Sequence, residues 1–553
     1  MTTTQHGGNR RQLGLIFLPA LLFLLIFFFY PLLRIMLVSL SGLSLTELLG
    51  RRYIGRILWF TTWQAAVSTL LTLVAGLPIA YLLANYEFRG KALLRAISTV
   101  PFVMPTVVVA AAFRALLAPA GPLNQLAMAL TGLAEPPLQL EQSLYLILLA
   151  HAFYNITIVV RLVGGFWANL NPNLGDSARI LGARPLRQFW EITLPLLRPV
   201  LISAAILIFL FCFTSFGVVL ILGGPAFSTI ETEIYRQYVT FLRPDIAGAL
   251  SLLQIVFTFI LMTTYARWQQ RATVALSFRP QQASLRRPDT LWKQWLLSAV
   301  VLSMGLVMSS PLLALIWRSL TTREGTLTFD YYLLLQTSRV GQTAYIAPLT
   351  AVLNSLGFAL LTVLTAGLLG VSSAYVLSRA GRGRRWLDAG LMLPLGASAV
   401  TLGFGYVVTF SRLRTSPLLV LIAHTLVAMP FIVRAVLPVM LGIKESLREA
   451  AAQLGAPPGR VWREVDLPIL SRALLVGAIF AFTVSMGEFG ATSFVARPNS
   501  GFQTLPIAIE RFLGQPGAEL FGQALALSTI LMLVCAVGFI GIERFRYADI
   551  GEF

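Results

Sequence analysis

Apolar runs of about 20 residues or more, the length a helix needs to cross a bilayer, return a dozen times along this 553-residue chain. They lie at about 13–33, 57–84, 96–117, 143–168, 196–222, 246–266, 292–317, 349–378, 387–410, 417–441, 471–495 and 521–542. In hydrocarbon a backbone can satisfy its N–H and C=O groups only within a helix or a closed barrel, and uninterrupted runs of this length are helical. The overall balance agrees: 57% of residues are hydrophobic, 12% are charged and the mean hydropathy is +0.77, too apolar for a soluble chain of this size. An all-α polytopic membrane protein with about 12 transmembrane helices is therefore expected. The first run, Leu13 to Leu33, is too long for a signal-peptide core and lacks a small-residue cleavage site, so it should remain as a span.

A second constraint is internal. Sliding the sequence by 273 positions lays GDSARILGARPLRQFWEITLPLLRP (175–199) on REAAAQLGAPPGRVWREVDLPILSR (448–472) without a gap. Leu174, Ala178, Leu181, Gly182, Ala183, Glu191, Leu194 and Pro195 meet Leu447, Ala451, Leu454, Gly455, Ala456, Glu464, Leu467 and Pro468. The register also carries His151 and Arg161 onto His424 and Arg434, and Phe216 and Gly217 onto Phe489 and Gly490. The chain thus reads as two homologous six-helix halves, 1–270 and 292–553, joined by 271–291. Within each copy the Leu, Ala and Leu at i, i+4 and i+7 share one face of a short helix. Gly breaks that helix, a second short helical stretch follows, and Leu-Pro opens the next apolar run. An amphipathic loop lying on the membrane would explain one such segment, but two copies in register weaken that reading.

Orientation follows from the basic residues. With the N-terminus inside, 28 of the 42 Lys and Arg fall on the cytoplasmic side, as the positive-inside rule requires. Both repeat loops and both termini are then cytoplasmic. The net charge of +19 is accounted for by this topology and by anionic lipid headgroups; no soluble basic domain suggests nucleic acid as a partner. The joining segment is polar, basic and broken by prolines, and reads as a cytoplasmic linker. Arg379, Arg382, Arg384 and Arg385, with Gly381 and Gly383, read as a tight turn anchoring topology.

The sequence offers no catalytic constellation and no metal-ligand cluster, and it lacks a phosphate loop, so ATP hydrolysis would have to come from another chain. Cys212 and Cys535 sit inside apolar runs as small core residues. His151 and His424, repeat equivalents at apolar helix starts, read as interhelical hydrogen-bonding groups before any role in transport. Glu488, in SMGEFG, is the one acidic side chain placed well inside a run. A carboxylate at that depth is costly and is a functional candidate, with a buried hydrogen-bonding role as the alternative. Its repeat partner is Ser215, in FTSFG.

The repeated loop resembles the EAA loop of ABC importer permeases: Glu-Ala-Ala, three residues, Gly, then a hydrophobe-x-Leu-Pro. The second loop, 445–468, matches it at Glu449, Ala450, Ala451 and Gly455; the first, 172–195, departs, with Asp176, Ser177 and Ala178 ahead of Gly182. The resemblance implies a MetI-like type I ABC importer fold in which each loop is a cytoplasmic coupling helix, its small residues packing in a groove of an ATPase subunit. It further implies two ATPase partners, a pair of like subunits, which bind the ATP and Mg. A periplasmic or lipid-anchored binding protein would complete the system in a bacterial inner membrane. In that family Ser215, Phe216, Glu488 and Phe489 would border the path near a pseudo-twofold axis. The runs LAHAFYNITIVVRL, CFTSFGVVLILGGPAFSTIETEIYRQ and SMGEFGATSF are similar to fused thiamine importer permeases and almost as similar to ferric-iron ones. A cationic thiamine ring would suit Glu488 and the neighbouring aromatics. An ion-coupled secondary transporter also suits twelve helices in two halves, although it has no use for the doubled loop. A membrane-embedded enzyme is a third possibility, disfavoured by the lack of catalytic groups.

Overall fold

The computed structural model describes residues 5–41, 52–140, 142–272, 285, 287–288, 290–337, 346–381, 383–413, 416–496 and 501–546. Most of the linker, and Arg382, lie outside the described residues. The elements used below are α1 (Leu13–Ser39), α2 (Arg52–Asn85), α3 (Leu144–Ala168), α4 (Leu194–Phe213), α5 (Gly217–Gly223), α6 (Ile230–Tyr235) and α7 (Pro244–Ala272). They continue with α8 (Leu291–Ser319), α9 (Pro348–Arg379), α10 (Pro417–Gly442), α11 (Leu467–Gly487), α12 (Thr492–Val495) and α13 (Ala518–Arg546).

Among the described residues 11 helices are long and apolar enough to cross a membrane, or up to 13 if each of two bent pairs counts as one span. The expected dozen lies between these figures, and the difference comes from breaks that an apolar run conceals. The 387–410 run is Arg384–Gly396 followed by Ala399–Thr409, bent by 92°. Ser398 makes the break by accepting the N–H groups of Val400 and Thr401 as a helix cap. The 96–117 run likewise stops at Val103 and restarts at Thr106, around Pro105. The 196–222 run divides into α4 and α5, and the 471–495 run ends its helix at Gly487, so Glu488 stands just past a helix rather than within one.

Two compact units result. One holds Thr46–Glu233 and Leu253–Thr328; the other holds Met1–Leu45, Ile234–Leu252 and Phe329–Phe553. In the first, α2, α3 and α4 pack together, and α8 lies against Thr106–Leu117. In the second, α9, α10, α11 and α13 form the corresponding bundle, and α1 lies against α9 and Ala399–Thr409. Each unit thus contains the first span of the opposite sequence half. The helix crossings are tight where glycine permits: a Cβ on Gly76 would stand 2.8 Å from Val159, and one on Gly370 would stand 2.9 Å from Ile432. Association within lipid rests on such close van der Waals contact because apolar burial alone gains little there.

Candidate functional site

The two cytoplasmic loops are built alike. In the first, helix Pro172–Ile180 ends at Gly182, whose φ is +81°; in the second, helix Glu445–Gln453 ends at Gly455, φ +82°. Gly182 N–H donates to Arg179 C=O at 2.9 Å and Ala183 N–H to Ala178 C=O at 2.9 Å; the counterparts are Gly455 to Ala452 at 3.0 Å and Ala456 to Ala451 at 3.1 Å. This pair of bonds is the Schellman cap, and its left-handed residue favours glycine. A Cβ at either glycine would meet nothing within 4 Å, so within the chain itself it is backbone conformation, not space, that requires glycine there.

Just before each cap sits an apolar side chain left in the open: Leu181 is 87% exposed and Leu454 is 89% exposed. Glu449 and Ala450 are exposed, Ala451 is half-buried and Ala178 is buried; the side chain of Asp176 lies outside the described set. Arg187 pairs with Glu191 and Arg460 with Glu464, each at 2.9 Å. One contact has no counterpart. Arg448 Nε meets Asp466 Oδ1 at 2.8 Å, with the Asp466 carboxylate nearly buried, pinning the second loop's helix to the stretch that leads into α11. The matching positions of the first loop are Gly175 and Thr193.

The other expected residues gather around the two histidines. His151, buried in α3, shares Nδ1 with Ser68 Oγ of α2 at 3.1 Å and Nε2 with Ser215 Oγ at 2.8 Å. His424, buried in α10, shares Nδ1 with Ser485 Oγ at 2.7 Å and Nε2 with Thr492 Oγ1 at 2.9 Å, and that nitrogen stands 3.5 Å from Glu488 Oε2. Ser485 in turn donates to Thr362 of α9 at 3.3 Å. His151 therefore ties α2 and α3 to the break that follows α4, and His424 ties α10, α11 and α12 at the break that follows α11. Ser215 and Glu488, matched only by register in the sequence, are each joined to the histidine of their own half.

Glu488 has its carboxylate fully engaged. Oε1 accepts the Ala491 N–H at 2.7 Å, Oε2 accepts the Thr492 N–H at 3.0 Å, and the Thr492 hydroxyl also donates to Oε2. It caps α12 as a carboxylate caps any helix start. Ser215, Phe216, Glu488 and Phe489 are all buried within their units. Ser485, His424 and Glu488 line up as a hydroxyl, an imidazole and an acid, but Ser485 is buried between helices, so the row serves packing rather than nucleophilic attack.

Glu488 is not alone as a buried acid. Glu231 and Glu233, on α6, are each 0% exposed, and Gln254 of α7 donates to Glu231 at 2.9 Å. They sit in the other bent pair, Gly217–Ala226 with Ile230–Thr240, which turns by 77°. The first piece begins inside the apolar run 196–222 and the second, with two acids in its first turn, shows no run of its own, so 223–245 reads in the sequence as a connection between spans. The Gly-Gly-Pro at 223–225 is the signal that could have marked a chain turning back on itself.

The family model of binding-protein-dependent transport system inner membrane components matches residues 76–275 and again 366–546. The chain is similar to the thiamine transport system permease protein of Brucella abortus, 27% identical over 499 residues, which cover 87% of this chain and 86% of that one. The Escherichia coli thiamine transport system permease protein is 27% identical over 510 residues, 89% of each chain. The ferric transport system permease protein of Actinobacillus pleuropneumoniae is 23% identical over 532 residues, 92% of this chain and 75% of that one.

Proposed function

The chain belongs to the family of binding-protein-dependent transport system inner membrane components, and from that premise we propose that it supplies both halves of the membrane path of an ATP-driven importer for thiamine or its phosphates. The observation that carries the substrate reading is similarity along nearly the whole chain to thiamine permeases of two different bacteria. That of the ferric permease is lower in identity and leaves a quarter of the relative unmatched. Ferric iron is accordingly the second reading.

Coupling is assigned to the two capped loops. Leu181 and Leu454, each held out by its cap, are apolar knobs suited to a groove on an ATPase subunit, one subunit per loop, the pair being alike and carrying the ATP and Mg. Asp176, Ala178, Gly182, Glu449, Ala450, Ala451 and Gly455 form or border those surfaces. The termini face the cytoplasm in this reading, supported by the distribution of Lys and Arg. A binding protein, periplasmic or lipid-anchored, delivers the cargo from the other side and sets most of the selectivity.

Ser215, Phe216, Glu488 and Phe489 are assigned to the wall of the path. Their burial and internal bonding support a positioning role, in which they fix the chain breaks that shape the path, over direct contact with a cation. The test is the reconstituted complex of this chain, its ATPase and its binding protein in liposomes. Thiamine-loaded binding protein should stimulate ATP hydrolysis and uptake; stimulation by a ferric-loaded binding protein with none by thiamine would select the second reading.

A further inference from the structure

We propose that the second half carries a seat for one acyl chain of a bilayer phospholipid, on the flank of α11, that the first half fills with its own side chains. A groove of about 540 Å³ lies among α9, α11 and α13, lined entirely by apolar groups, among them Val363, Ala478, Phe482, Val534, Val537 and Gly538. Its volume falls in the range of about 300–1,000 Å³ typical of small-molecule sites. Val537 is 70% exposed at its rim, and all three helices are membrane spans, so the groove opens toward hydrocarbon.

The first half shows what fills the same place when the chain does it itself. The 273-residue register sets Phe209 and Phe213 of α4 against Phe482 and Met486 of α11. Ala-Leu-Ser at 249–251 of α7 matches Ala-Leu-Ser at 526–528 of α13, and both serines bond the carbonyl four residues back at 2.7 Å. This second register puts Phe257 opposite Val534. In the first half Phe209, Phe213 and Phe257 form a stack, with ring centroids 5.8 and 5.6 Å apart. In the second, Phe482 keeps its ring while Met486 and Val534 stand in place of the other two, and both Phe482 and Val534 line the groove.

In lipid no hydrophobic force drives a chain into such a groove, since tails are as apolar as its walls. What favours occupancy is contact on several sides at once, which a smooth helix face does not give. The occupant is a hydrocarbon tail, because no polar atom lines the groove to hold a headgroup or a hydroxyl. The seat lies on the one helix that carries the clamped loop at its start and the Glu488 cap at its end, so an occupied groove braces the link between them.

The full chain, reconstituted in phosphatidylethanolamine and phosphatidylglycerol doped with a phospholipid bearing a photoreactive diazirine in its tail, gives the test. Mass spectrometry of the labelled peptides should find 478–482 and 533–538 labelled several-fold above the matching 205–209 and 256–261. Val534→Phe, which installs the first half's ring, should bring the second-half label down to the first-half level. Phe257→Val should raise the first-half label. Equal labelling of the two halves in the unaltered chain, as annular lipid alone would give, overturns the proposal. So does unchanged labelling in a Val534→Phe chain with normal thermal unfolding.

Discussion

In the first half His151 meets the neutral Ser215 across 64 residues of sequence, whereas in the second His424 meets Thr492 and stands beside the carboxylate of Glu488 across the same 64. The loops differ in the same sense: Arg448 and Asp466 clamp the second, while Gly175 and Thr193 hold the same positions in the first. Both halves keep the histidine, the glycine cap and the exposed Arg-Glu pair. What duplication preserved is the set of contacts that positions helices; what drifted is the strength with which each half is fastened. A buried charge is expensive to leave unpaired, so once acquired it locks its surroundings more firmly than a hydroxyl can.

The sharpest test of that contrast is to remove the acid. Glu488→Ala strips the acceptor from two backbone N–H groups and a hydroxyl in a buried site, and is expected to cost several kcal/mol, about 1–3 kcal/mol for each buried donor left unsatisfied. Ser215→Ala in the first half should cost about 1 kcal/mol, one neutral hydrogen bond. Thermal unfolding in detergent measures both. Glu488→Gln separates the roles: reduced uptake with unchanged stability would place the carboxylate in contact with cargo and contradict a positioning role.

Next comes the clamp. Arg448→Met leaves Asp466 buried without its partner and should lose about 2–3 kcal/mol, seen as faster hydrogen exchange over 445–466. The double change Arg448→Gly with Asp466→Thr, which rewrites the second loop in the first loop's terms, should lose less than Arg448→Met alone. Exchange over 172–193 should already resemble that of the double variant.

A smaller and symmetrical effect is expected at the caps. Gly182→Ala and Gly455→Ala should each cost about 1 kcal/mol, the penalty of a left-handed conformation for a residue with a Cβ. Asn tolerates that conformation and should recover part of it. An Asn variant that folds yet no longer retains the ATPase in a pull-down would show that the partner, and not only the backbone, requires glycine. Smallest of all are Arg187→Gln and Arg460→Gln, each expected to change stability by about 0.3–0.5 kcal/mol at most, since the pairs they break are exposed. Unequal losses there would mean the halves differ beyond their buried charges.

The helical fold and the duplicated loop were legible because length of apolar run and a fixed register are strong signals that do not depend on distant contacts. The breaks were not, because a run such as 387–410 stays apolar through Ser398, and one hydroxyl accepting two N–H groups outweighs continuity of composition. Glu231 and Glu233 carry no such signal because α6 is too short to look like a span and α5 merges with α4 into one apolar run. The link between each histidine and the residue 64 positions on was present in the register as two polar pairs with equal spacing, but only packing of α3 on α4, and of α10 on α11, turns spacing into contact.

The exchange of first spans has a consequence for how the protein is made. α1 leaves the ribosome first, but α9, against which it packs, begins at Pro348, some 300 residues later. At about 5–20 residues per second that is a wait of roughly 15–60 s. With only 22% of its span buried in the finished protein, α1 can spend that interval among lipids with little left unsatisfied. The first unit meanwhile stays open until α8, already part of the second sequence half, is inserted. Neither half can therefore mature as a self-contained product: two polypeptides cut within 278–288 would each have to donate a helix to the other's bundle before either was complete. Joining them in one translation product guarantees that both donors arrive in equal number and at the same place in the membrane.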